Sequence, residues 1–216
     1  MRLFSGNVPS KDLVTQELFT DFATNVEQCG YTMTQSHRSQ LRRELEKVNL
    51  DLNTDTQSVS MGDFWMGNVL INLDNNDRIR EVFVIDWEFV NMAPTWLDVG
   101  NFIGEAFLIG YFESTDDAYI HVLESFIEAY RDHGVLLDAS RALQFAGAHT
   151  MMSLSRRIIS PRSKATLETA NSYVDTALKF ITDPEFCYLQ EKHEDPLMAL
   201  VSLLKQHRKA APASVN

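Results

Sequence analysis

Cysteine is scarce in this sequence, with only Cys29 and Cys187 among 216 residues. Their spacing matches neither a zinc pair nor a redox motif, so we expect two reduced cysteines in a cytoplasmic chain. Basic residues are outnumbered as well, because 19 Lys and Arg stand against 30 Asp and Glu and give a formal charge of −11. Affinity for a nucleic acid depends on Lys and Arg that neutralise phosphates. The charge balance therefore excludes nucleic acid as an expected partner.

Long hydrophobic runs are also missing. No apolar stretch approaches the roughly 18 residues that a membrane-spanning helix needs, and the N-terminus lacks the basic start and apolar region of a signal peptide. We therefore expect no membrane role. The acidic surface is compatible with a cationic small-molecule substrate, although an acidic surface that only keeps the chain soluble is the simpler interpretation.

What is present is an ordinary globular composition, with 44% apolar and 23% charged residues. Apolar positions recur at helical spacing along most of the chain. Strands and helices do not alternate, which argues against a Rossmann fold or a TIM barrel. The sequence predicts an α+β, mostly α-helical domain, with helices over residues 11–28, 36–50, 97–111, 118–133, 137–159, 163–181 and 196–208.

One β-hairpin is predicted in the middle of the chain. Val69–Leu73 and Val82–Ile85 are short β-branched runs, and Asp74–Asp77 between them is strong turn material. Asn68 precedes the first strand and Asp86 follows the second. Because antiparallel strands bring these two ends together, we expect both side chains at the mouth of the hairpin.

Asp63 lies on the loop that enters the first strand and is expected to join Asn68 and Asp86. Oxygen-rich side chains of this kind suit Mg²⁺, which takes one or two protein ligands and leaves the rest to water and phosphate. A carboxylate that does not bind the metal could accept a proton from a hydroxyl nucleophile. Phosphoryl transfer uses this division of labour.

Three ordered motifs carry a family resemblance. They are Gly62-Asp63 with Asn68, then Ile85-Asp86-Trp87-Glu88, then Pro94 and Leu97-Asp98-Val99-Gly100. In this order they resemble the catalytic loop, metal-binding segment and following helix of the aminoglycoside phosphotransferase and choline kinase-like family. The resemblance implies that Asp63 is the catalytic base. It also implies that Asn68 and Asp86 bind ATP through Mg²⁺ and that Asp98 supports the catalytic loop.

The chain departs from the family pattern in two places. Met61 stands where the pattern usually has His, and the upstream segment offers no equivalent of a nucleotide-binding lobe. Before Gly62 the only glycines are Gly6 and Gly30, and neither lies in a Gly-rich turn between strands. We therefore expect a kinase-like C-terminal lobe over residues 11–209 without its N-terminal lobe, after a disordered or truncated start at 1–10 and before a disordered tail at 210–216.

Three functions follow from these observations. The first is an ATP- and Mg²⁺-dependent phosphotransferase that acts on the hydroxyl group of an unidentified small molecule. The second is a catalytically inactive kinase-like fragment, serving as a binding module or arising as a truncated gene product. The third is a metal-assisted hydrolase that uses Asp63 and Asp86. The missing lobe also predicts an exposed apolar face near Met66 and Trp87, which a partner or self-association would cover.

The helix after the hairpin raises further expectations. Gly100 and Gly104 allow another backbone to approach, and the catalytic loop is the expected neighbour. Asp98 in the first turn would either reach that loop or simply be a carboxylate that the positive end of the helix dipole stabilises. Glu105 would form an ion pair in the core or line a substrate site, and His149 is expected to be a packed core residue.

Overall fold

The computed structural model describes residues 34–54, 58–113, 118–133, 137–158 and 166–184. Several predictions fall outside these residues, namely the helices over 11–28 and 196–208 and the terminal segments 1–10 and 210–216.

Helices make up most of the described residues. They are α1 Gln35–Thr54, α2 Trp96–Phe112, α3 Ala118–Asp132, α4 Ala139–Ile158 and α5 Leu167–Thr182. Each corresponds to a helix predicted from apolar periodicity, with ends that differ by a few residues. Together with the small antiparallel sheets described below, they confirm the mostly helical α+β class.

The start of α5 shows how local chemistry fixes a helix end. The helix begins at Leu167, later than the predicted Ser163, because Thr166 forms a capping box with Thr169. The Thr166 hydroxyl accepts from the Thr169 amide at 3.1 Å, and the Thr166 amide donates to the Thr169 hydroxyl at 2.8 Å. Two amides of the first turn are thereby satisfied.

The core lies where α2 crosses α4, α5 packs against α4, and α1 packs against α5 and α4. Gly100 and Gly104 face α4, where an added Cβ would lie 2.9 Å from the carbonyl oxygen of Ala142 and 3.1 Å from that of Ala146, respectively. The expectation that these glycines admit the catalytic loop is therefore wrong. They admit the α4 backbone, and two helices cross closely because neither glycine carries a side chain.

The two small sheets lie between α1 and α2 in the sequence. β2 Val69–Leu73 and β3 Ile79–Val84 form the predicted hairpin, in which Val69 pairs with Val84. The turn follows the prediction, because the Asp74 carboxylate accepts from the amides of Asn76 at 2.8 Å and Arg78 at 3.0 Å. Such bonds from an Asp side chain to following amides favour a turn over continued strand.

The second sheet pairs β1 Ser58–Ser60 with β4 Asn91–Ala93. The sequence predicts a short strand at Val59, whereas Asn91–Pro94 is predicted as a loop. The prediction for Asn91–Ala93 is wrong. Pro94 ends the strand without preventing it, since the ladder stops one residue earlier. Burial alternates along β4, with Asn91 and Ala93 inside and Met92 outside.

The hairpin projects away from the helical core. Leu70, Ile71, Val82 and Phe83 are each 50–55% exposed, and no residue of β2 or β3 is fully buried. Among the described residues, no helix combines the length and hydropathy that crossing a bilayer requires.

Candidate active site at the mouth of the hairpin

The open end of the hairpin brings Asn68 and Asp86 together. The Ile85 amide donates to the Asn68 carbonyl at 3.0 Å, directly beyond the last strand pair. Asp86 follows with a left-handed backbone, φ 69° and ψ 52°, and an exposed side chain. A non-glycine residue in this region is strained, and such strain concentrates at functional sites. Residues 18 positions apart thus meet at one edge of the fold.

Asn68 also connects the hairpin to the preceding loop. It ends a short 3₁₀ turn, Met66–Asn68, and its side chain is buried. The Asn68 Nδ2 donates to the carbonyl oxygen of Asp63 at 3.0 Å and lies 3.4 Å from its carboxylate Oδ2. Because the nitrogen is engaged by Asp63, Oδ1 is the atom with which Asn68 would bind a cation.

Asp98 joins the loop to the helical core. Its Oδ2 accepts from the Met61 amide at 2.7 Å, and its Oδ1 accepts from the Gly62 amide at 2.9 Å. Both carboxylate oxygens therefore fix the backbone just before Asp63, while the Met61 side chain is buried. The position in the first turn of α2 also suits a negative charge. The contribution of Asp98 to catalysis stays a prediction.

Gly62 occupies a position that suits no other residue. Its φ is +86°, and an added Cβ would lie 2.6 Å from the Phe89 carbonyl oxygen and 3.2 Å from the Asn91 side-chain nitrogen. Glycine alone adopts this backbone freely, and it lets the loop lie against the segment that follows Asp86. Close packing of the two segments keeps Asp63 near the hairpin mouth.

Two contacts of the loop were not predicted from the sequence. Asn101, buried in α2, donates from Nδ2 to the Gly62 carbonyl at 3.2 Å. Phe64, immediately after Asp63, stacks on Phe102 with ring centroids 5.4 Å apart and lies 5.8 Å from Phe126 of α3. The available signal was helical spacing, because residues 98, 101 and 102 lie on one face of α2.

The electrostatic surroundings of Asp63 combine burial with several charges. Burial raises the pKa of the Asp63 carboxyl above its ordinary value of 3.8. The His149 imidazole opposes this rise in pKa, Glu105 adds to it, the Asn68 hydrogen bond opposes it, and Asp86 adds least. A carboxylate with a raised pKa is a stronger proton acceptor.

Glu105 and His149 are hydrogen-bonded to each other behind the loop. The His149 Nε2 lies 2.9 Å from Glu105 Oε1, and both side chains are nearly enclosed between α2 and α4. Of the two roles open for Glu105 on sequence grounds, the structure shows a pairing inside the core, with His149 as the partner. His149 is packed in the core as expected, against Phe145 and Gly104.

The tryptophans of this region differ in environment. Trp96 is buried and lies 5.7 Å from the Phe145 ring, while Trp87 is half exposed and donates from Nε1 to the Val84 carbonyl at 2.7 Å. Trp65 is partly buried and covers Gly67. Met66, near which an exposed apolar face is expected, is itself partly buried and packs against the helical core. At the hairpin, exposed apolar surface is contributed by the strand side chains and Trp87.

The donor set favours a hard cation. Within the described ranges there is no cluster of three or more His, Cys, Asp or Glu that could hold a metal. Asp86 and the amide oxygen of Asn68 are the oxygen donors that the hairpin mouth offers. Mg²⁺ binds through few protein ligands together with phosphate oxygens, so this sparse set fits magnesium better than a soft metal.

Comparison with known proteins places this site in a family. Residues 9–145 match the profile of the ecdysteroid kinase-like family. Two curated relatives are 4-hydroxytryptamine kinases. The one from Psilocybe cubensis is 25% identical over 114 residues, and the one from Psilocybe cyanescens is 28% identical over 111 residues. The aligned part is 52% and 50% of this chain, respectively, and 30% of each relative.

These matches support membership of a kinase-like small-molecule phosphotransferase family. The profile covers more than half of the chain, and the chain belongs to the ecdysteroid kinase-like family. The coarser prediction from the motifs is thereby confirmed. The narrower assignment to the aminoglycoside phosphotransferase and choline kinase-like family stays a prediction, as does the C-terminal-lobe boundary.

Proposed function

We propose that the chain takes part in ATP- and Mg²⁺-dependent transfer of a phosphoryl group to the hydroxyl of a small molecule. The observation that carries this proposal is the meeting of Asp63, Asn68 and Asp86 at the hairpin mouth, linked by the Asn68 hydrogen bonds and the Ile85–Asn68 bond. Phosphoryl transfer depends mostly on positioning and electrostatic stabilisation, and the site is built from groups with fixed positions.

Asp63 is the proposed base. Its carboxylate would accept the proton of the acceptor hydroxyl as the phosphoryl group is transferred. Burial favours this role, because it raises the pKa of Asp63 and strengthens the carboxylate as an acceptor. The Asn68 amide orients the same carboxylate through the 3.4 Å contact.

Asn68 and Asp86 are the proposed ligands of magnesium and, through it, of ATP. The bound ion would neutralise charge on the phosphate oxygens of the nucleotide. The exposed position of Asp86 leaves its carboxylate open to a ligand, and its left-handed backbone sets the direction in which it leaves the hairpin. Asp98 serves as structural support for this arrangement by fixing the Met61 and Gly62 amides.

The acceptor is proposed only as a class. The curated relatives are named for a hydroxytryptamine and the family for ecdysteroids, so hydroxylated indole amines and steroids are the first acceptors to test. The formal charge of −11 favours a cationic acceptor over an anionic one. We place the protein in the cytoplasm because it has only two cysteines, which we expect to be reduced.

The exposed apolar surface of the hairpin supports a proposed contact with another lobe or chain. A kinase-like C-terminal lobe of the aminoglycoside phosphotransferase type would meet a nucleotide-binding lobe on this side. The chain spans about 30% of the curated relatives it matches. The apolar surface of Leu70, Ile71, Val82, Phe83 and Trp87 is the area that such a lobe, a partner chain or self-association would cover.

Calorimetric titration of the chain with MgATP tests the metal site. Asp86→Asn removes the charge but keeps a residue that tolerates a left-handed backbone. Asp77→Asn is the matched control, because Asp77 is an exposed residue of the same hairpin with φ 58°. We expect binding by the native chain and by Asp77→Asn, and a loss of at least about 10-fold in affinity for Asp86→Asn.

Equal affinity in both variants would place the nucleotide elsewhere. No binding by a folded native chain would support the alternative, a catalytically inactive kinase-like module. Phosphoester hydrolysis without nucleotide would instead support a metal-assisted hydrolase. With binding established, the acceptor classes named above are screened for phosphorylation.

A further inference from the structure

Asn101 is a buried amide on a helix face surrounded by apolar side chains. It is 3% exposed, and its neighbours Val99, Phe102 and Ile103 are buried hydrophobic residues. A buried amide without a hydrogen-bond partner costs about 1–3 kcal/mol. Asn101 avoids that cost because its Nδ2 donates to the Gly62 carbonyl at 3.2 Å. The side chain thus reaches out of the helix to the loop that carries Asp63.

Gly62 is held from both of its polar atoms by α2. Its amide donates to Asp98 Oδ1 at 2.9 Å, and its carbonyl accepts from Asn101, three residues further along the same helix face. That carbonyl belongs to the peptide joined to the Asp63 nitrogen. With the backbone of Gly62 at φ +86°, these two bonds select one orientation for a residue that could adopt many.

Phe64 secures the other side of Asp63. Its ring stacks on Phe102 at 5.4 Å, and Phe102 directly follows Asn101 in α2. Phe126 of α3 closes the cluster at 4.2 Å from Phe102. Both neighbours of Asp63 therefore contact consecutive residues of one helix, so α2 fixes the backbone on both sides of Asp63.

We propose that Asn101 is a positioning residue, which fixes the Gly62–Asp63 peptide and thereby holds the Asp63 side chain toward Asn68 at the hairpin mouth. The catalytic part of this inference rests on the function proposed above, in which Asp63 is the base. The positional part does not depend on it. Asn101 acts through Gly62 and does not touch the reacting groups.

The test compares two buried amides that each donate one hydrogen bond to a backbone carbonyl. Gln144 of α4 is also buried and donates from Nε2 to the Ile181 carbonyl at 3.2 Å, within the core formed with α5. Asn101→Leu and Gln144→Leu each remove one amide donor to a backbone carbonyl, and Gln144→Leu also removes the oxygen that accepts from Arg141 at 2.7 Å. The urea midpoint of Gln144→Leu is therefore expected to fall at least as far as that of Asn101→Leu. Only Asn101→Leu should disturb the loop.

Amide hydrogen exchange provides a measurement that needs no activity. In Asn101→Leu we expect the amides of Met61 and Gly62 to exchange at least about 10-fold faster relative to the amides of α4 and α5, because local opening requires less free energy. In Gln144→Leu the ratio between loop and helices should stay within a factor of about two of the native value. Unchanged relative exchange at Met61 and Gly62 in Asn101→Leu would overturn the proposal.

Kinetics then separate positioning from binding. We expect kcat to fall by about 10- to 100-fold in Asn101→Leu with KM for ATP nearly unchanged, since misplacement of a catalytic group affects the chemical step. Gln144→Leu should retain native kcat. Equal losses in both variants would overturn the catalytic part. A native chain that neither binds MgATP nor turns over refutes the proposed function, while the exchange comparison still decides the position of the loop.

A second pair of variants serves if Asn101→Leu does not fold. Should Asn101→Leu fail to fold, Asn101→Ala removes the same donor without adding bulk to the helix face. It is measured against Gln144→Ala in the same way, with the same expected outcomes.

Discussion

The helical core and the hairpin differ in how far their apolar side chains are buried. In the core, Ile103, Leu108 and Ala148 are fully buried, and glycines let helices α2 and α4 cross closely. In the hairpin, apolar side chains point to both faces and remain half exposed. An isolated two-stranded hairpin is at best marginally stable in water. The core therefore stabilises the fold, whereas the hairpin carries groups of the candidate site, Asn68 and Asp86, at its open end.

The candidate site lies where these two regions join. Asp98, Asn101 and Phe102 belong to the core, whereas Asn68 and Asp86 belong to the ends of the hairpin. The loop carrying Asp63 is bonded to both. Changes in the core should therefore act mostly on stability, and changes in the hairpin mostly on binding. Three substitutions test this separation, in order of decreasing effect on stability.

Phe107→Ala should have the largest effect. Phe107 is 2% exposed and lies 5.2 Å from the ring of Phe180 and 5.9 Å from that of Tyr173. Removing a buried aromatic ring loses its transfer free energy and leaves a cavity, so the free energy of unfolding should fall by about 3–5 kcal/mol. Urea unfolding followed by circular dichroism measures this. A loss below about 1 kcal/mol would show that the core is not closely packed there.

Phe83→Ala makes the same chemical change in the hairpin. Phe83 is 50% exposed and pairs with Leu70 across the strands. We expect a loss below about 1 kcal/mol, because much of the ring is already in water. Urea unfolding at several protein concentrations is the measurement. A loss comparable with that of Phe107→Ala, growing with concentration, would show that a second copy of the chain covers the hairpin in solution.

Asp63→Asn should have the smallest effect on stability, and its sign depends on pH. Burial raises the pKa of Asp63 in the folded chain above its unfolded value. The folded state therefore favours the protonated carboxyl, and that contribution to stability is lost as pH rises through the folded pKa. We expect Asp63→Asn to be slightly more stable than the native chain near pH 7 and equal to it below about pH 4.

Urea unfolding at the two pH values checks this expectation, with Asp77→Asn at the exposed turn as the control. The same Asp63→Asn variant should lose phosphoryl transfer by about 100-fold or more, as expected for a lost general base. A variant that is less stable than the native chain at pH 7 would contradict the inferred burial of the carboxyl.

Local patterns in the sequence predicted much of this architecture. Apolar periodicity located the described helices, and the Asp74–Asp77 turn between β-branched runs located the hairpin. Both depend on neighbours a few residues apart. The convergence of Asn68 with Asp86 followed from antiparallel pairing, so it too was accessible.

Contacts between distant segments were harder to predict. Gly100 and Gly104 indicated close approach but not the partner, because spacing along one helix carries no information about the element that packs on it. The strand at Asn91–Ala93 depends on antiparallel pairing with the distant segment Ser58–Ser60, in which Val59 lies opposite Met92. Asn101 is a polar residue in an apolar helix, and helical spacing alone does not identify Gly62 as its partner.

The left-handed backbone of Asp86 has a consequence for protein engineering. Among the described residues, only Asp77 and Asp86 are non-glycine residues with positive φ. Glycine at position 86 would relieve the backbone strain, by up to about 1 kcal/mol. A design procedure that optimises folding alone would therefore select glycine there and delete the carboxylate. A stabilised version of this chain keeps the Asp86 carboxylate only if position 86 is excluded from the optimisation.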